Sequence, residues 1–218
     1  MEKILDFLKD LDKNNNREWF HANKPYYNEA KSEFESYVNQ LIPEIQNLDK
    51  KIGELSVKNS LFRIYRDVRF SKDKSPYKTN MGAYFSKGGR KLGNAGYYIH
   101  VQPGNSFIGG GIYMPPSDIL KKLRTEIYNF SEDYIKIVTN KNFIKTFKEI
   151  SGEKLKLAPK GFPKDFEHIE LLKLKSFTAF KNISEKELQS SNFISNVISA
   201  FKEMKPLNEF LNRAIEEN

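Results

Sequence analysis

Between Leu61 and Asn80 the chain reads LFRIYRDVRFSKDKSPYKTN, with Arg63, Arg66 and Arg69 at three-residue intervals, followed by Lys72, Lys74 and Lys78. The whole chain holds seven arginines against twenty-nine lysines, so three of the seven in one short run points to a requirement for guanidinium and not merely for charge. A guanidinium presents a planar fork of donors that grips a carboxylate or phosphate through two parallel hydrogen bonds, which an ammonium cannot do. The chemistry suggested is capture of an anion. Read as one strand, residues 61–70 place Arg63, Tyr65, Asp67 and Arg69 on one face, and Phe62, Ile64, Val68 and Phe70 on the other together with Arg66. Arg66 among apolar neighbours then requires a buried acidic partner, an anionic ligand or a bulge that re-aims it. Arg69, on the polar face, is expected to meet the ligand. Asp67 orients an arginine or acts as a base, although pairing with arginine keeps it ionised and weakly basic.

Two further stretches belong with this one. SKGGRKLGNAG, residues 86–96, carries Lys87, Arg90 and Lys91 on a glycine-rich loop able to close over an anion, but it lacks the Gly-Lys-Ser/Thr ending of a phosphate loop. Gly109, Gly110 and Gly111 lie inside a strand, where each costs about 0.5–1 kcal/mol relative to alanine. They imply a bend, or close approach of another backbone or of a ligand. The expected ligand-binding set is therefore Arg63, Tyr65, Arg66, Asp67, Arg69, Lys72, Tyr77, Lys78 and Arg90. His100, alternating with Tyr98 and Gln102, joins Asp67 as a candidate general base. His21, His100 and His168 are too scattered to define a metal site, no named catalytic motif is present, and no cofactor is indicated.

The elements that must hold these residues follow from periodicity. Ile4, Leu5, Leu8 and Leu11 have helical spacing, and Asn14–Asn16 end that helix. A longer helix is expected from Asn23, with Pro25 in its first turn and Pro43 kinking or ending it. From 62 to 114 the helical period disappears and turn signals separate aromatic and β-branched runs. Strands are expected at 61–70 and 82–86, with a hairpin of 96–101 against 106–114 across Pro103-Gly104-Asn105. Helices follow from Ser117, at 134–147, 166–174 and 191–204, with a capping box at Ser184–Glu187 and a short returning strand at 177–183. This is an α+β fold in a single domain spanning 1–218: helical over 1–52, sheet-rich over 60–115 and mainly helical over 116–218, with a curved antiparallel sheet packed by the N- and C-terminal helices.

With 218 residues, 39% hydrophobic, 13% aromatic and 29% charged, the chain has the composition of a globular protein. The absence of cysteine excludes disulfides, thiolate metal sites and a cysteine nucleophile. No run approaches the length of a membrane span or a signal peptide, so a cytoplasmic location is expected. The net charge of +8 favours anionic partners.

The segments NNNREWFHANK, LFRIYRDVRFSKDKSPYKTNMGAYFSKGGRK, AGYYIHVQPGNSFIGGGIYMP and LKLAPKGFPKDFEHIELLKLKSF, in this order and spacing, resemble a widespread bacterial family of unknown function numbered 2461. The resemblance spans about residues 4–211. It implies one domain and supplies no activity, cofactor or catalytic residue. Three readings of the residues themselves stay open: a pocket for a phosphorylated or carboxylated small molecule, with or without chemistry on it; a nucleic-acid surface on which Tyr65, Tyr77 and Tyr84 stack against bases; and an interaction module whose arginines form a structural ion-pair network.

Overall fold

The computed structural model describes residues 1–90 and 92–216. Those residues form ten α-helices and one open four-stranded antiparallel sheet, an α+β fold. The first helix, α1 (Glu2–Lys13), buries Ile4, Leu5, Leu8 and Leu11 along one stripe. Asn14–Asn16 end it as expected, but Asn16 immediately starts a short helix, α2 (Arg17–Ala22), its side chain accepting from Trp19 N at 2.9 Å. The long helix α3 (Lys24–Leu48) continues past Pro43 rather than ending there. Burial of Ile42 and Ile45 on either side of the proline outweighs the lost backbone bond. A one-turn helix, α4 (Val57–Ser60), leads into the arginine-rich segment.

The sheet is built from β1 (Met81–Ser86), β2 (Gly96–Val101), β3 (Ser106–Ile112) and, after the helices α5 (Ser117–Asn129), α6 (Ser131–Val138), α7 (Lys141–Phe147) and α8 (Ile169–Leu172), the returning β4 (Phe177–Ile183). Its spatial order is β1-β2-β3-β4. α9 (Glu185–Leu188) opens on the expected capping box, Ser184 and Glu187 bonding each other's backbone amides at 3.2 and 2.8 Å. α10 (Phe193–Glu216) ends the described chain, continuing through Pro206 well beyond the 191–204 expected from sequence.

Two other helices differ from expectation for local reasons. Residues 134–147 form two helices, because Asn140 caps a fresh start by accepting from Asn142 N and Phe143 N. Of 166–174 only Ile169–Leu172 is helical: Pro159 and Pro163 hold the preceding residues in turns, and Lys173 and Lys175 pair instead with the extended backbone of Leu155 and Glu153.

One face of the sheet lies on α10. Tyr97, Ile99, Ile108 and Ala179 are buried there, with the Phe201 ring 4.9 Å from that of Tyr97. The glycine triplet belongs to this packing. A β-carbon on Gly110 would stand 2.7 Å from Met204 of α10, and one on Gly109 only 2.1 Å from the Ala179 carbonyl of β4. Close approach of neighbouring backbone and of α10 therefore accounts for the triplet.

Candidate functional site

The opposite face of the sheet carries Tyr98 and His100 from β2, with Gln102 just beyond its end, and Phe107 from β3, and the arginine-rich segment folds over its β1 edge. Residues 61–70 are not a strand. They are the first arm of an irregular hairpin that touches the ladder through isolated bridges, Leu61 with Ala83 and Tyr65 with Tyr77. Between those bridges three residues on the first arm face five on the second. The surplus makes a bulge opposite Arg63, flanked by bonds from Phe62 N to the Gly82 carbonyl at 3.0 Å and from Lys78 N to the Ile64 carbonyl at 2.8 Å. A bulge removes the strict alternation of sides on which the strand reading relied. Ile64 is buried, but Phe62 is 43% and Phe70 96% exposed, so Arg66 does not lie on an apolar face.

The second arm is clamped from outside. Asn15, in the corner between α1 and α2, donates to the Tyr77 carbonyl at 3.0 Å and accepts from Tyr77 N at 3.1 Å. Tyr77 is 2% exposed and stacks on Phe20 at 3.9 Å between ring centres. It is a packing residue that fixes where Lys78 leaves the backbone. Tyr65, on the open side of this aromatic cluster, lies 5.4 Å from the Tyr77 ring.

Three-dimensional structure divides the basic residues into two groups. In the first, cations are already occupied by local partners. Arg66 bonds Asp73, the Ser75 carbonyl and the Ser71 hydroxyl, clasping the 71–75 turn. Arg69 grips Asp67 through Nε at 3.0 Å and a terminal nitrogen at 2.7 Å. The Arg69 side chain and its backbone amide hold the Asp67 carboxyl down at about 2, which removes Asp67 as a base at neutral pH. Ser75, through hydroxyl and amide, and then Arg66 hold Asp73 at about 2 as well. Lys72 is exposed in the same loop.

The second group is Arg63, Lys78 and Arg90. Among the described residues neither Arg63 nor the Lys78 ammonium makes a hydrogen bond or ion pair. Arg90 donates only to the Lys58 and Asn59 carbonyls, at 3.0 and 2.8 Å. Lys78 and Arg90 both stand on the exposed ring of Phe62, at 5.4 and 5.9 Å from its centre. Burial first, and then the charges of Arg63 and Arg90, push the Lys78 ammonium below the ordinary lysine range. The charges that act on Lys78 are both positive; Asp67, which feels Arg63, is already bound by Arg69, and Glu35, on the same cleft as Arg63, pairs with Lys31. Arg63 and Arg90 line a cleft of about 830 Å³ between α3 and the first arm; Lys78 lines a smaller one of about 250 Å³, and Asn80 borders both. Lys91 falls outside the described residues.

Beneath Phe62, polar residues at and just beyond the end of β2 form a chain. The Tyr98 ring lies 6.0 Å from Phe62, in space left by the missing side chain of Gly82, whose added β-carbon would come within 2.6 Å of the Tyr98 hydroxyl. Tyr98 Oη is 3.0 Å from His100 Nδ1, His100 Nε2 is 3.0 Å from Gln102 Oε1, and Gln102 Nε2 donates to Thr79 at 3.4 Å. With the Gln102 amide turned this way, Nε2 of His100 carries the proton and Nδ1 accepts from Tyr98. Burial, with Lys78 adding to it, pushes the His100 pKa down, so the imidazole is neutral at physiological pH. Phe62, Thr79, Tyr98 and Gln102 were not in the set expected from sequence. Only the position of the bulge and Gly82 bring them to the basic residues, and neither is readable without the register.

Of the tyrosines considered for base stacking, Tyr77 is buried and the Tyr84 hydroxyl is tied to the Asn94 and Gly111 carbonyls at 2.8 Å each, which leaves Tyr65 alone open. Among the described residues no cluster of histidine and carboxylate side chains suits a metal ion, and no helix is long and apolar enough to cross a membrane.

The two arginines in the hairpin loop differ from the sequence-based expectation in a testable way. Arg66 pairs with an exposed partner, so Arg66→Met is expected to fold and to lower Tm by no more than about 4 °C. Arg69→Lys is expected to leave both stability and any anion-induced thermal shift as in the parent. Thermal denaturation with and without inorganic phosphate measures both. Failure of Arg66→Met to fold would show that the loop clasp is worth far more than an exposed pair.

Residues 3–210 match the model of the family described as conserved hypothetical protein (DUF2461), and the chain belongs to that family. No curated protein and no solved structure matches it.

Proposed function

We propose that the protein binds a phosphorylated or carboxylated small molecule at the rim of the α3 cleft, with Arg63, Lys78 and Arg90 as the binding cations and Phe62 as an apolar floor beside them. The observation that carries this reading is the convergence of three cations that, among the described residues, bond no carboxylate, while Arg66 and Arg69 of the same hairpin are each paired. Like charges brought together and partly desolvated destabilise the empty protein, and a bound anion relieves that cost. An exposed basic stripe for nucleic acid is supported less well. Asp67 and Asp73 neutralise the hairpin tip, Tyr77 is in the core, and the Tyr84 hydroxyl is tied to backbone carbonyls.

The test is thermal denaturation across inorganic phosphate, citrate and nucleotides against chloride at matched ionic strength. A ligand of the native state at a hundred times its Kd stabilises by about 2.7 kcal/mol, which in a chain of this size is about 5–10 °C. No anion-specific rise in Tm would overturn the reading.

A further inference from the structure

We infer that Lys78 is a nucleophilic amine, placed to condense through Nζ with the carbonyl group of an anionic aldehyde or ketone whose negative end is held by Arg63 and Arg90. The inference rests on the anion-binding reading above and adds a covalent step to it.

The geometry separates Lys78 from ordinary surface lysines. Its backbone is clamped on both sides, by the Ile64 carbonyl and by Asn15 acting on Tyr77, so the side chain starts from a fixed position over the outer face of the sheet. Its ammonium meets no hydrogen-bond acceptor among the described residues and rests on an aromatic ring. The ring contact favours the charged form, but among the described residues no hydrogen bond or carboxylate adds to it. Burial and the two guanidinium groups all favour the neutral form, and only the neutral form carries the lone pair that attacks carbon. Lysines activated in this way, by desolvation next to another cation, form Schiff bases. Arg63 and Arg90, which stay charged, supply the electrostatic hold on a phosphate or carboxylate while the amine reacts.

The step balances without an added oxidant or reductant. Nζ of neutral Lys78 forms a bond to the carbonyl carbon, the carbonyl π pair moves to oxygen, and a proton passes from nitrogen to that oxygen to give a carbinolamine. Protonation of the hydroxyl and loss of water leave a protonated imine on Lys78. The proton consumed at the hydroxyl is the one Lys78 gave up beforehand, so the net change is ammonium plus carbonyl to iminium plus water. Tyr98 and His100, joined at 3.0 Å beneath Phe62, form a proton-transfer pair within electrostatic reach of Lys78. A neutral imidazole whose Nδ1 receives the tyrosine proton can pass a proton in either direction.

The probe is pyridoxal 5′-phosphate, an anionic aldehyde, added below stoichiometry to the folded full chain and trapped with borohydride, which reduces the imine to a stable secondary amine. Peptide mass mapping then shows which lysine was modified. Lowering an amine's pKa exposes more of the reactive neutral form, so Lys78 is expected to label several-fold faster than Lys72 or Lys74, which share the hairpin. Inorganic phosphate should protect it, Arg63→Gln should slow it, and Lys78→Arg should remove the fast phase and not transfer it to a neighbouring residue. Labelling of Lys78 no faster than that of Lys72 and Lys74 would overturn the nucleophile. If phosphate raises Tm while Lys78 stays unlabelled, the anion site stands and the amine chemistry falls. Fast labelling that phosphate does not slow would overturn the anionic part of the assignment.

Discussion

Arg63→Gln is expected to abolish the phosphate-induced rise in Tm while leaving the ligand-free protein as stable as the parent or slightly more so. A hydrogen bond between charged groups contributes about 1.5–3 kcal/mol, so loss of this one guanidinium should weaken anion binding by about 10–100-fold. The effect on the empty protein has the opposite character. Arg63 is exposed and has no bonded partner among the described residues, and its charge opposes that of the partly buried Lys78. Neutralising it removes repulsion and leaves no group unpaired, so stability should stay within about 0.5 kcal/mol or rise. A structural ion-pair network behaves in the reverse way, since removing one member strands the other. Urea denaturation of parent and variant, each with and without phosphate, separates the two. Clear destabilisation of the ligand-free variant, or an undiminished phosphate effect, would show that Arg63 belongs to the scaffold.

Gly111→Ala is expected to be the most damaging small substitution in the sheet. Gly111 has φ of +96°, a conformation that side chains rarely adopt, and a β-carbon there would sit 1.9 Å from the Phe177 carbonyl of the neighbouring strand. Its amide donates to Asn208 on α10 at 3.0 Å and its carbonyl accepts from Tyr84 at 2.8 Å, so the backbone cannot shift without breaking both. Strain of about 1–2 kcal/mol and overpacking of about 1–3 kcal/mol together approach the whole stability of a marginal domain. The variant should lose a large part of its urea midpoint or fail to fold. Gly104→Ala is the control. It too has positive φ, +70°, but nothing lies within 4 Å of the added carbon, so only the smaller conformational cost of about 1 kcal/mol applies. Equal losses at the two positions would mean that backbone conformation alone, and not the approach of β4, requires glycine at 111.

Much of the fold is local enough to be legible in one dimension. The stripe Ile4, Leu5, Leu8, Leu11 dictates α1, because a helix brings those positions to one face whatever surrounds it. The Ser184–Glu187 capping box and the hairpin across Pro103-Gly104-Asn105 are likewise decided within a few residues. Proline at 43 misleads for a physical reason: it weakens a helix locally, while the buried residues around it, set by packing against other elements, hold the helix together. The same division runs through the candidate site. That an anion-binding function is worth testing follows from residue types alone, from arginines concentrated at 63, 66 and 69. Which arginine is available does not. Asp67 and Asp73 lie so close in sequence to all three that only the path of the chain decides the pairings. The turn at 71–75 delivers Asp73 to Arg66, Asp67 curls back onto Arg69, and the bulge opposite Arg63 leaves that residue facing the α3 cleft with Arg90, while Lys78 lines the smaller cleft that shares Asn80 with it. Charge can be counted from the sequence, but whether a charge is neutralised by a neighbour depends on distances of a few ångströms, and those are set by register, bulge and packing.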